Sequence, residues 1–274
     1  MADRVVKLYN GTVTIEFFEK WKNPETGGTC RHVYLVNGVR CEHSVTGALE
    51  QINKPQLIVW AVDLLRDHIL LNLENGNTIT EELVVEGSKL HLVHKKQAAD
   101  LGTLVHQWAE AYIKGLNPPM PEDPRVAQGV IGFLNWTKQH GGVRFVTSEK
   151  MVYSKRYGYI GTLDVSFTFG DENHEILHPG DFKTGNGIYD EARFQVSGYA
   201  EADAEESGIV YGDAWILRFI KEDKYDKKTG ELKHKAGTCE TLCIPASERA
   251  ADFEAFLGAL AIDKRKKALE KLKD

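Results

Sequence analysis

The chain has 274 residues, 42% hydrophobic and 27% charged, with a formal net charge of −6. This length allows one large domain or two small ones and enough chain to bury a sizeable core. No apolar run approaches the roughly 20 residues of a membrane-spanning helix, and the net charge gives no overall attraction toward nucleic-acid phosphates.

In chain order, residues 4–20 and 30–37 alternate polar and apolar residues, which predicts a hairpin of strands around the turn WKNPETGG. Residues 45–73 read as helix, broken near Pro55. Residues 97–115 predict a strong amphipathic helix with Leu101, Leu104, Val105, Trp108, Ala109 and Tyr112 as its apolar stripe. NPPMPEDP is a break, and a further helix runs to about residue 140. The period then changes. Residues 143–153, 158–169 and 174–183 read as a three-strand meander with DEN as a turn. A helix over 189–206 follows, then the strands GDAWILRFI and TCETLCIPA around a Lys-rich loop, and a last helix from near Ser247. The expected fold is an α/β core with a helical N-terminal part, divided as 1–96 and 97–274 but packed as one unit.

The opening MADRVVKLYNGT has no apolar h-region, so no secretory signal is expected. Cys30, Cys41, Cys239 and Cys243 contain no C-x-x-C pair, which fits free thiols in a cytoplasmic setting. Two stretches are locally basic: 138–156 at +4 and 218–235 at +3. Each is equally a solvated surface.

The chemistry-bearing residues cluster late. Asp164 closes one apolar run; Asp181 and Lys183 close the next, two apart and therefore on one strand face. Two carboxylates suit Mg²⁺, and a lysine beside them can hold or activate a water. A structural ion pair accounts for the same residues. Asp226–Lys228, Glu222–Lys224 and Glu231–Lys233 share the spacing within one hydrophilic loop. His106 and Glu110 lie four apart on the amphipathic helix, and Gln195 and Tyr199 four apart on the helix after DFKTG. Alone, each pair is plain helix-surface chemistry.

Together and in order, the pattern is G-x-x-x-H-x-x-x-E (Gly102, His106, Glu110), G-x-x-D (Gly161 to Asp164), D-F-K-T-G, then Q-x-x-x-Y (Gln195 to Tyr199). It resembles the PD-(D/E)XK nuclease superfamily, in the branch of the RecB nuclease domain, the mitochondrial genome maintenance exonuclease and many phage exonucleases. The stretch VNGVRCEHSVTGALEQINKPQLIVWAVD is similar to the start of the phage and mitochondrial members, so the resemblance covers about residues 33–220. It implies a restriction-endonuclease-like core, a mixed sheet flanked by helices. It also implies a metal-dependent DNA exonuclease of phage or bacterial recombination or repair.

The resemblance implies Mg²⁺ or Mn²⁺ held by His106, Asp164, Asp181 and the Phe182 carbonyl. Lys183 would orient the attacking water, and Gln195 and Tyr199 would orient Lys183 or touch DNA. Glu149, on the strand before G-x-x-D, is a further acidic candidate, with Glu110 supporting. Lys150, Lys155, Arg156, Thr184 and Arg193 are the candidate DNA contacts. The partners would be single- or double-stranded DNA ends and a single-strand annealing or other recombination protein. Iron–sulfur relatives place three cysteines downstream of the core; only Cys239 and Cys243 lie there, so no cluster is expected. A flap or junction endonuclease, or a non-catalytic DNA-binding subunit, are the alternatives. Pro179, two residues before Asp181, predicts an edge strand or a bulge.

Overall fold

The computed structural model describes residues 2–24, 26–170, 176–226 and 228–273. The expected DEN turn at 171–173 lies outside them.

The N-terminal part is more than a hairpin. β1 (Arg4–Leu8), β2 (Val13–Lys22), β3 (Thr29–Val36) and β4 (Val39–Arg40) form a four-stranded antiparallel sheet in that order. α1 (Val45–Leu49) starts at Ser44, whose hydroxyl accepts the Gly47 N–H. α2 (Pro55–Glu74) starts at a proline, which suits a helix's first turn.

α3 (Glu81–Ile113) is far longer than the expected 97–115, and the 96/97 boundary falls inside it. Thr80 caps it and Glu81 and Glu82 occupy its first turn, both favourable at a helix N-terminus. Its early half packs on α2 through Gly87, where a Cβ would lie 2.8 Å from atoms of His68 and Leu65. Gly87 breaks the helical propensity there, which hid this half from the sequence pattern. α4 (Pro124–Gln139) follows, with Asp123 accepting the Arg125 and Val126 N–H groups.

β5 (Val143–Ser154), β6 (Tyr159–Phe169), β7 (His178–Lys183), α5 (Asp190–Ser207), β8 (Ala214–Phe219), β9 (Lys224–Tyr225), β10 (Leu232–His234), β11 (Cys239–Ile244) and α6 (Ala246–Glu270) complete the chain. The main sheet has order β11-β8-β7-β6-β5; only β7 and β8 run parallel, with α5 as their crossover. β9 and β10 form a small ribbon in the Lys-rich loop. The fold is thus α/β, a mixed five-stranded sheet flanked by helices, plus the N-terminal sheet.

Residues of α3 and α4, including Val105, Phe133 and Trp136, pack with Val165, Phe167, Phe182 and Leu217. Residues of α1, α5 and α6 pack with Val152, Tyr159 and Leu163. The N-terminal sheet sets Leu8, Val13 and Ile15 against Met151 and Ile160, which ties it to the main sheet.

The expectation for Pro179 is corrected: β7 lies between β6 and β8 and is no edge strand. Pro179 is opposite Ser166, but the ladder with β8 begins one residue later at Gly180↔Trp215. The missing N–H therefore costs no bond on that side.

Candidate active site

The site grows from a fault in β6. Residues two apart in a regular strand share a face. Here Leu163 joins the cluster under α5 and α6, whereas Val165 joins the one under α3 and α4. The switch falls at Asp164. Across the ladder, Glu149 sits between the pairs Ser148↔Val165 and Lys150↔Leu163 with φ +51°, a left-handed backbone costing about 1–3 kcal/mol for such a residue. Arg4 Nη2 donates to the Glu149 carbonyl at 2.9 Å and braces this bend.

On the other side the β6–β7 ladder stops at Val165↔Gly180. Asp164 Oδ2 then accepts the Phe182 N–H at 2.7 Å. A side chain replaces the backbone ladder, so the strands part while the polar groups stay satisfied.

Into this opening α3 sends His106, whose Nδ1 is 3.7 Å from Asp164 Oδ2. Ligand-type atoms of His106, Glu149 and Asp164 all lie within 4.8 Å of one another. Asp181 is fully buried. Lys183 Nζ lies 2.5 Å from its Oδ2, yet neither carboxylate oxygen has a well-aligned hydrogen bond. The contact is an ion pair on Oδ2, and Oδ1 has no hydrogen-bond partner. Lys183 Nζ donates to Gln195 Oε1 at 3.0 Å, and Gln195 Nε2 donates to the Tyr199 hydroxyl at 3.0 Å. The lysine is therefore steered from α5.

Burial dominates the electrostatics. It pushes the Glu149 carboxyl up to about 8, with Asp164 and Glu110 adding to the rise. It pushes Asp164 to about 6 and Asp181 to about 6, both against the pull of Lys183. It pushes His106 down to about 4, against the pull of Asp181. The neutral imidazole of His106 and the carboxyls of Glu149 and Asp164 are close enough together that they could hold a metal ion. Asp181 stands beside the His106–Glu149–Asp164 group, not within it.

Two glycines of the pattern have a steric reason. A Cβ on Gly102 would lie 2.7 Å from Thr184 Oγ1, and one on Gly161 would lie 2.4 Å from Tyr199 Cε1. Gly102 lets α3 approach the turn after β7; Gly161 lets Tyr199 seat under β6. Gly161→Ala is expected to destabilise the fold by about 1–3 kcal/mol through overpacking. Denaturant unfolding measures this, and an unchanged midpoint would contradict the packing.

A cleft of about 780 Å³ opens over these residues. His106, Glu110, Glu149, Asp164, Phe182, Lys183, Thr184, Gln195 and Tyr199 all line it. Glu110 is ion-paired to Lys114. Four expected DNA contacts do not line the cleft. Lys150 Nζ binds Asp203 Oδ1 at 2.6 Å, and Arg193 is held by Asp252 and Glu248 of α6. Lys155 Nζ lies 4.0 Å above the Tyr9 ring, and the Arg156 guanidinium lies over Tyr157 at 5.0 Å. These basic side chains serve local structure.

The cleft also has a wall absent from the sequence reading: Arg4, Phe17, His32 and Tyr34 of the N-terminal sheet. The register pairs Arg4 with Phe17 and Phe17 with Tyr34, so they form one row across three strands. Alternation in 4–20 and 30–37 signals such a row but not what it faces. Among known proteins, no family model matches the chain, and no curated protein matches it.

Proposed function

We propose that this chain is a metal-dependent DNA exonuclease with a PD-(D/E)XK-type site. One observation carries the reading: two strands part around Asp164, and the gap gathers His106, Glu149 and Asp164 beside a buried Asp181 that lacks directed donors. Lys183 offsets the burial of that carboxylate only in part, and a metal ion would complete the compensation. The motif order G-x-x-x-H, G-x-x-D, D-F-K-T-G and Q-x-x-x-Y supports the same reading.

In this reading His106, Glu149, Asp164 and Asp181 hold Mg²⁺ or Mn²⁺. When bound, the ion offsets charge developing on the phosphate and lowers the pKa of a coordinated water. Lys183 positions the attacking water and is itself positioned by Gln195, which Tyr199 holds in turn. Thr184, at the cleft edge, is placed to meet the strand beside the scissile phosphate.

The test is digestion of 5′- and 3′-end-labelled single- and double-stranded DNA, with and without Mg²⁺ or Mn²⁺. Metal-dependent release of nucleotides from linear substrates is expected, with closed circles left intact. Cutting of closed circles would convert the reading to an endonuclease. DNA binding without saturable metal binding in calorimetry would make the chain a scaffold.

A further inference from the structure

The active-site cleft does not end at the turn after β7. A second groove of about 310 Å³ shares Ala98, Thr184 and Gly185 with it, so the two hollows meet across that turn. Their electrostatics are opposite. The cleft is lined by Glu19, Glu110, Glu149 and Asp164 against Arg4 and Lys183. The groove is lined by Arg125, Arg218, Lys221 and Lys224 against Glu222 alone. Three of these cations come from the locally basic stretch 218–235, which the catalytic centre does not use.

The cations divide by role. Arg218 is buried; its Nε donates to the Gly185 carbonyl at 2.9 Å and its Nη1 is ion-paired to Glu240. It fixes the shared turn. Lys221 Nζ reaches the Ala98 carbonyl at 3.5 Å, on the ridge between the hollows. Lys224 lies 3.4 Å and Arg125 lies 3.9 Å from Glu222 carboxylate oxygens, Arg125 also lies 3.3 Å from Asp123 Oδ2, and the Lys224, Arg125 and Glu222 side chains are between 44% and 48% exposed. Exposed pairs of this kind contribute little and exchange readily for a stronger anion. Trp60 of α2 forms part of the wall.

We propose that this groove holds single-stranded DNA next to the scissile bond, with phosphates on Lys221, Lys224 and Arg125 and a base against Trp60. The proposal rests on the nuclease reading above and extends it to a strand path. Without metal the cleft lining has no excess of positive side chains, so affinity for the strand must come from elsewhere on the surface. The basic groove that adjoins the cleft supplies it. A cationic track with an aromatic wall is the usual means of holding an unpaired strand.

The experiment is fluorescence anisotropy of a labelled single-stranded oligonucleotide, in EDTA so that no cleavage occurs, across a series of KCl concentrations. Each phosphate contact on a single strand contributes about 0.7 to the slope of log affinity against log salt. The Lys221→Gln/Lys224→Gln double variant should therefore lose about 1.4 from that slope. Trp60→Ala should bind about 5- to 150-fold more weakly with the slope unchanged, because stacking releases no counterions. Lys155→Gln/Arg156→Gln, on the surface away from the groove, should match wild type. A wild-type slope in the Lys221/Lys224 variant overturns the groove and leaves the nuclease reading standing. Absence of wild-type binding at every salt concentration also overturns the groove, whereas the nuclease reading stands or falls on the metal-dependent digestion described above.

Discussion

Asp181→Asn is expected to abolish hydrolysis and, without metal, to stabilise the protein at pH 8. The two effects share one cause. Asp181 is wholly buried, and Lys183 offsets that burial only in part, so its charge is incompletely compensated until a metal ion is present. Asparagine keeps the volume and removes the charge. Its loss of charge for the metal removes several kcal/mol of transition-state stabilisation, about 10³-fold or more in rate. The stability gain should depend on pH. The carboxyl sits at about 6 in the folded chain, above its ordinary 3.8, because burial outweighs Lys183. A raised carboxyl binds its proton more tightly when folded, so its contribution is intact below pH 3.8 and is lost as pH rises through 6. The variant should thus melt above wild type at pH 8 and alongside it near pH 4. Lys183→Ala should also abolish activity but destabilise at pH 8, since it removes the cation that is ion-paired with Asp181. Wild-type hydrolysis in either variant, or a lower pH 8 melting temperature for Asp181→Asn, would sink the assignment.

The residues of the candidate site were named from the sequence; the geometry that brings them together was not legible there. Spacing places Asp181 and Lys183 on one face, and Gln195 and Tyr199 on one helical face, because those periods are local. The hydrogen-bonded run from Tyr199 through Gln195 to Lys183 follows that placement closely. The break of alternation at Asp164 is different. It depends on Glu149 adopting a left-handed backbone on the neighbouring strand and on Arg4, 145 residues away, bracing it. Neither leaves a periodic signal. The surroundings of the cations were illegible for a related reason. Lys150 and Arg193 were candidate DNA contacts, and only tertiary contacts show them paired with Asp203, Glu248 and Asp252. Lys221 and Lys224 instead lie in a loop rich in both signs of charge, where sequence alone gives no direction. The four-stranded N-terminal sheet shows the same limit: its strand-forming stretches 4–20 and 30–37 were evident, but the division of the first into β1 and β2, the short β4 and the sheet's place over the cleft were not.

Divalent metal should bind more tightly as pH rises from 6 to 8, and it should release protons as it binds. Metal ligands act in their deprotonated forms, so any ligand held protonated makes the ion compete with a proton. Asp164 and Asp181 sit at about 6 and Glu149 at about 8, all raised first by burial. Glu149 and Asp164 face each other and give up their protons as a pair. His106, at about 4, is already neutral throughout this range, so its nitrogen is available and adds no slope. Near pH 6 all three carboxyls contribute to proton release. Above pH 7 Glu149 carries nearly all of it. Calorimetry of Mn²⁺ binding in two buffers of different ionisation enthalpy counts the protons directly. Glu149→Gln should flatten the rise between pH 7 and 8 while keeping the rise near pH 6. Bound metal should also raise the melting temperature of the wild type, by about 2.7 kcal/mol of stability at a hundredfold excess over Kd. In Asp181→Asn the same metal concentration should have little effect on melting. An affinity flat from pH 6 to 8, or a Glu149→Gln profile identical to wild type, would show that the crowded carboxyls of the β5–β6–β7 opening do not hold the ion.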